Sequence, residues 1–238
     1  MRYLIIFSVI TCFSFTAWAE QSNKVVTIAG YAIPKMIESS TEGLFVQLMR
    51  EAGRNAGYEV RVDVFPAKRA VPLFQEGKYD AVMPMTGTFR PIMEGPRTHS
   101  FYVKRTFAFV REGTQIPLSI QELNSMRVGL NSQYDNAPEL LGTKGINFIW
   151  GHDDTNMMKM LAAGRIDTLV IEEFSGIKAL RNAGATNITY NPDYPITVTN
   201  AYTLFQNNER GKEIASRISK EIVKMKINGR FEAIMGAR

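Results

Sequence analysis

A chain of 238 residues that is 45% hydrophobic and 21% charged can bury a sizeable core, and its composition excludes a disordered or fibrous protein. Its formal net charge of +5 is spread along the chain without a Lys/Arg-rich run, which favours small anionic partners over nucleic acid. The single cysteine, Cys12, excludes a disulfide-stapled scaffold. Arg2 is the only charge before Glu20, and between them lies an apolar stretch (Leu4, Ile5, Ile6, Phe7, Val9, Ile10, Phe13, Phe15). It is shorter than the ~20 residues of a membrane-spanning helix and closes on Ala17-Trp18-Ala19, an A-x-A pattern that a signal peptidase can cut. Residues 1–19 therefore read as an export signal cleaved after Ala19, with Cys12 discarded. An uncleaved anchor is the alternative. The expected location is the periplasm, where a chain without a disulfide must be held by its core alone.

From Val25 onward, strand and helix signals alternate. Val25-Val26-Thr27-Ile28-Ala29 is a buried-type strand, and Gly30-Tyr31 turns out of it. Ser40 or Thr41 is placed to cap a helix with Leu44, Leu48 and Ala52 at a spacing of four, stopped by Gly57. Residues 58–64 alternate, with Tyr58, Val60, Val62 and Val64 on one face and Glu59, Arg61 and Asp63 on the other, as a half-buried strand does. A helix follows from Pro66, interrupted by Pro72 and stopped by Gly77. Ala81–Met85 is the next strand, which completes a β-α-β-α-β series.

The pattern pauses after Arg90, and residues 101–111 are extended. A second series begins with a Ser119/Glu122 capping box. Its strands are 127–130, 146–150 and 167–171, and a helix start lies near Asp135. Asp154 is placed to cap a helix ending at Gly164, a further helix runs to about Asn182, and 187–190 is a short strand. Residues 201–205 are extended, and a long amphipathic helix from about Glu209 to Lys226 carries Ile214, Ile218, Ile222 and Met225 as its stripe.

The resulting fold class is α/β with two lobes, each a mostly parallel sheet flanked by helices, joined by two crossover segments. The boundaries are 20–106 plus 202–238 for lobe one and 107–201 for an inserted lobe two. A cleft between such lobes collects strand exits from both sides, and clefts of this kind are where small ligands bind.

One stretch, Gly77 to Arg90, carries the strongest local signal: a buried strand empties into Thr86-Gly87-Thr88 and ends on Arg90. Hydroxyls, free backbone and a guanidinium at a strand exit suit an anionic group, although a surface loop with a solvated Arg reads the same way. The run Gly77-Lys78-Tyr79-Asp80-Ala81 followed by Met85-Thr86-Gly87-Thr88-Phe89-Arg90 resembles extracellular solute-binding proteins of the polar amino-acid type (solute-binding protein family 3), which feed ABC importers. Ser100-Phe101-Tyr102 stands where that family has "F-S-x-P-Y". Val128-Gly129-Leu130-Asn131-Ser132 resembles its "V-G-V-x-x-G" loop, and residues 164–172 resemble "G-R-x-D-A-x-x-x-D". The resemblance spans nearly all of the chain beyond residue 19. It implies the type II periplasmic-binding-protein fold, an Arg that holds the ligand carboxylate and an acidic residue that receives the ligand's amino group.

The departures bear on the ligand. The loop before Arg90 is one residue short of the family's usual form, which leaves Arg90 and Arg97 as alternatives for the carboxylate, with Arg90 favoured. Glu172 replaces the usual Asp, and Gln133-Tyr134 replaces the Gly of the second-lobe loop.

The residues taken one by one give the same candidate set. Arg90 or Arg97 offers a planar fork matched to a carboxylate. Arg69, near a helix start, faces either the cleft or solvent. Thr86 and Thr88 add hydroxyl donors, and Ser132 and Tyr134 precede a helix start, where free N–H groups favour anions. Glu172 at a strand exit either pairs with an ammonium or caps a helix. Tyr31 lids the ligand or packs at its strand end, and Trp150 reads as core. No catalytic residue, cofactor or metal is expected. The two histidines, His99 and His152, lack metal-ligand spacing, and neither a G-x-S-x-G elbow nor a phosphate-cradling loop is present. The expectation is a monomeric periplasmic protein that captures a small polar or anionic, amino-acid-like solute by hinge closure for a membrane permease. The alternatives are an enzyme on the same fold, such as a dehydratase of a carboxylated ring with Glu172 or His99 as acid, and an orphan binding protein that reports to a sensor.

Overall fold

The computed structural model describes residues 24–87, 93–134 and 136–236. The expected export signal with Cys12, the loop residues Thr88 and Arg90, and Asp135 lie outside the described residues; the helix expected to start near Asp135 begins at Pro138. Strand β1 (Val25–Tyr31) pairs in parallel with β2 (Glu59–Phe65) and β3 (Ala81–Thr86). Helices α1 (Leu44–Asn55) and α2 (Ala67–Gln75) make the crossovers. The alternation read in residues 58–64 is present: Val60 and Val62 are buried between exposed Glu59, Arg61 and Asp63. Pro72 is accommodated inside α2.

Strand β4 (Tyr102–Arg111) then carries the chain into a second parallel set made of β5 (Arg127–Asn131), β6 (Asn147–Gly151) and β7 (Thr168–Glu172). Helices α3 (Pro138–Leu141), α4 (Asp154–Ala162) and α5 (Glu173–Ala183) connect them, with a two-residue strand β8 (Ile188–Thr189) after α5. Strand β9 (Thr197–Phe205) returns the chain, and α6 (Glu209–Ile227) and α7 (Arg230–Met235) close it.

Among the described residues the strands form one continuous sheet in the order β2-β1-β3-β9-β4-β7-β5-β6, with β8 on β4. Each parallel triplet is therefore bordered by an antiparallel crossover strand. Along β4, residues 102–106 pair with 201–197 of β9, and residues 106–110 pair with 172–168 of β7. Thr106 belongs to both ladders, and its hydroxyl meets that of Thr197 at 2.5 Å. The fold is the two-lobe α/β architecture read from the sequence.

Separate apolar clusters sit on either side of this junction. One draws on β1, α1, β2, β3 and the two C-terminal helices, including Ile28, Phe45, Leu48, Ile214, Ile218 and Ile222. Two others are built from residues 107–196, around Phe107, Phe109 and Leu169 on one sheet face and around Leu123, Leu130 and Leu140 on the other. The amphipathic stripe of the C-terminal helix is buried along its length, as its spacing requires.

Local details differ from the sequence reading where neighbouring polar residues compete for one role. Gly43, not Ser40 or Thr41, precedes α1, and its φ of 117° is a conformation that favours glycine. Ser39 accepts from the N–H groups of Thr41 and Glu42 in a turn of its own. Asp153, not Asp154, caps α4 by accepting from the Asn156 N–H at 2.7 Å. The Ser119/Glu122 capping box is not formed: the Ser119 hydroxyl donates to the Glu122 carboxylate at 3.2 Å, and Ile120, without a side-chain cap, precedes a single turn of 3-10 helix.

Candidate functional site

A hollow of about 750 Å³ lies where strand exits of the two lobes converge on the crossover strand β4. Alternate residues of a strand share a face, and Tyr102, Lys104 and Thr106 of β4 all line it. Lobe one contributes Tyr31 from the end of β1, Pro84 and Thr86 from β3, and one face of α2 that includes Lys68, Val71, Pro72 and Gln75. Lobe two contributes Ser132, Gln133 and Tyr134 after β5, Trp150 on β6, and Glu172 and Ser175 where β7 runs into α5.

Five of the eight candidate residues, Tyr31, Thr86, Ser132, Tyr134 and Glu172, therefore meet in one space. Thr88 and Arg90 continue the chain past Thr86 beyond the described residues. Arg69 does not line the hollow. Its guanidinium lies over the Phe65 ring, 5.5 Å from the centroid, and Lys68 stands on the inward side instead. One residue of helix turns a side chain through 100°, so the phase of α2 makes the choice between the two cations. Arg97 is also outside it, 4.9 Å from the Tyr202 ring and bridged through its backbone to Leu204. His99 does not line it either. Trp150 departs from its core reading: it is 50% exposed and faces the hollow. Among the described residues strand β6 pairs only with β5 at the sheet margin, which leaves one side of the ring uncovered.

The polar groups of lobe two are held in place by one another. Glu172 is buried, and its two carboxylate oxygens accept from the Tyr102 hydroxyl at 3.0 Å and from the Ser175 N–H at 3.0 Å. It is thus the N-cap of α5, one of the two sequence alternatives for it, and it also forms part of the wall of the hollow. The Tyr134 hydroxyl donates to Asp154, which also accepts from the Asn131 amide at 2.6 Å. Burial pushes the Tyr134 phenol well above the ordinary tyrosine range, and the nearby Asp154 charge adds to the effect. Burial likewise raises Asp154, against the hydrogen bonds from Tyr134 and Asn131 that favour its charged form. Ser132 and His152 share a hydrogen bond at 2.6 Å.

In lobe one the Tyr31 hydroxyl donates to the Pro84 carbonyl at 2.7 Å, so the ring is fixed across the ends of β1 and β3. The lobes also touch. Phe174, at the start of α5, packs against the lobe-one core, with the Lys35 ammonium 4.6 Å from its ring centroid. A second hollow of about 560 Å³ lies between residues 32–38 and the start of α5, and shares Ile33, Gln133, Tyr134 and Ser175 with the first. Among the described residues no cluster of His, Cys, Asp and Glu is arranged to hold a metal, and no helix is long and apolar enough to cross a membrane.

No family model matches the chain, and no curated protein matches it in sequence. Solved structures do match in shape. A histidine kinase sensor domain with similarity to periplasmic binding proteins superposes with a TM-score of 0.72 at 18% identity, covering 89% of this chain and 94% of that one. The fold is that of the periplasmic binding proteins. An ancestral arginine-binding protein bound to arginine gives 0.65 at 15% identity, over 89% of this chain and 96% of its own. The GluR0 ligand-binding core from Nostoc punctiforme in complex with L-glutamate gives 0.66 at 16% identity, over 88% and 96%. At these identities the likeness is one of architecture.

Proposed function

We propose that this protein is a periplasmic solute-binding protein that captures a small polar or anionic, amino-acid-like solute between its lobes and delivers it unaltered. The observation that carries the reading is the convergence of Tyr31, Thr86, Ser132, Tyr134 and Glu172, from both lobes, on one hollow. The lobes divide at 106/107 and 201/202, residues 1–19 are the cleaved export signal, and closure bends the crossover strands near Thr106 and Thr197. Arg90, four residues beyond Thr86, is assigned the ligand carboxylate, with Thr88 beside it. Glu172 receives an ammonium where the ligand has one. The closed monomer is presented to the permease of an ABC importer. The likeness to a histidine kinase sensor domain favours a second reading, in which the same capture is reported to a sensor. Chemistry on the ligand is disfavoured, because His99 stands away from the hollow and both Glu172 oxygens are engaged as acceptors.

A thermal-shift screen of amino acids, short peptides, dicarboxylates and aromatic acids tests the reading. At least one class should raise the melting temperature, and Arg90→Ala should abolish that rise. An undiminished rise in the variant removes Arg90 from the site, and turnover of the bound solute removes the transport reading.

A further inference from the structure

Eight large hydrophobic side chains are exposed among the described residues, and three of them line the main hollow: Tyr134 at 36%, Leu141 at 43% and Trp150 at 50%. Exposed apolar groups gathered in one concave place mark a surface that something covers. The Trp150 ring leans on that of Phe148, 6.0 Å away, which packs onto the core of its lobe. Trp150 therefore rests on a firm base. Leu141 ends the short helix α3, and Pro138 at the start of that helix lines the same wall. Across the hollow, α2 shows Val71 and Pro72.

The charged lining among the described residues is sparse: Lys68 and Lys104 against the single carboxylate of Glu172. Neutral hydrogen-bonding groups also line it, among them Gln75, Thr106, Ser132, Gln133 and Asn136, so the hollow has a polar part and an apolar part. Leaving a bare indole, a leucine and two prolines uncovered there has a cost that an apolar ligand surface removes.

From this wall we infer that the hollow takes an organic carboxylate with an aromatic or comparably large apolar body, which lies against Trp150, Leu141 and Pro138 while its anionic end turns to the lobe-one side. A flat ring suits this wall because indole and phenol faces stack with offset or edge contacts. The inference rests on the reading that the hollow captures a solute, and it narrows that solute's class.

Titration calorimetry on the protein with 3-phenylpropionate, indole-3-acetate and L-phenylalanine, set against propionate and L-alanine, tests it directly. L-Arginine and L-glutamine serve as the polar comparison. The aromatic probes should bind at least tenfold tighter than their truncated counterparts. Trp150→Ala should weaken the aromatic probes by roughly tenfold or more at a temperature where the ligand-free variant remains folded. Leu141→Ser should act in the same direction more weakly, and Trp150→Phe should retain most of the affinity. Aromatic probes no tighter than propionate, or indifferent to Trp150→Ala, overturn the inference. If L-arginine or L-glutamine binds and the aromatic acids do not, the inference falls and solute capture stands. If no probe binds, the inference falls, and solute capture stands or falls on the wider thermal-shift screen.

Discussion

The two walls of the hollow are built on different terms. On the lobe-one side the core itself reaches the surface of the site: Phe45 is 1% exposed, stacks edge-on against Phe101 and Tyr102, and still lines the hollow with Ile33 and Met36. On the lobe-two side a network of polar groups stands at the strand ends, with Tyr134, Asp154 and Asn131 bonded together and Glu172 bonded to Tyr102 and Ser175. The core ring Phe109 is stacked on Tyr190 and takes no part in the lining. In lobe one, packing and recognition share side chains. In lobe two the core meets the hollow at Val170 and Ile171 while its rings Phe107 and Phe109 stay out of the lining, and a wall whose donors and acceptors satisfy each other offers a ligand shape more than free hydrogen bonds.

The sharpest way to break this contrast is a matched pair of core truncations. Phe45→Ala and Phe109→Ala should each cost about 3–5 kcal/mol in urea unfolding, the usual range for a buried phenylalanine. Only Phe45→Ala should also weaken ligand binding at a temperature where both variants remain folded. Equal binding losses would show that the lobe-two core is as close to recognition as the lobe-one core.

A smaller effect is expected at Glu172, whose carboxylate caps a helix and lines the hollow. Glu172→Gln should weaken ligands that carry an ammonium by about tenfold or more, the loss of one charge-assisted hydrogen bond, and should spare purely anionic ligands. An equal loss for both ligand types, read by calorimetry, would assign Glu172 to the Tyr102–Ser175 scaffold alone.

The smallest expected effect lies wholly within lobe two. Hydrogen bonds from Arg127, at 2.6 Å from its guanidinium and 2.8 Å from its backbone, hold the Asp167 carboxyl below the usual carboxylate range. A carboxyl depressed in the folded state contributes stability that is present above its unfolded value of about 3.9 and is lost as pH falls through the folded value. Arg127→Met should therefore flatten the acid limb of the melting-temperature profile and leave binding at neutral pH unchanged. An acid limb as steep as the parent's would place the loss elsewhere.

Much of the architecture was legible from residue spacing. The alternation across residues 58–64, the glycine stops at Gly57, Gly77 and Gly164, and the stripe on the C-terminal helix are local signals, and each corresponds to a described element. The lining of the hollow was legible where a strand exit fixes position, as at Thr86, Ser132 and Glu172. It was not legible where helix phase decides, as between Lys68 and Arg69, or where adjacent residues of one type divide two roles. Asp153 takes the helix cap and Asp154 takes Tyr134, and only the fold around them separates the pair. Trp150 was misread because a tryptophan on a strand reads as core unless the strand is known to lie at a sheet margin.

The shared ladder at Thr106 has an engineering consequence. Because Thr106 sits directly opposite Thr197, the chain enters and leaves its second half at a single doorway. Residues between them form a cassette whose two ends already lie within a strand spacing of each other. Such a piece invites excision, exchange for a relative's counterpart, or circular permutation, with the remaining scaffold rejoined by little more than a tight turn.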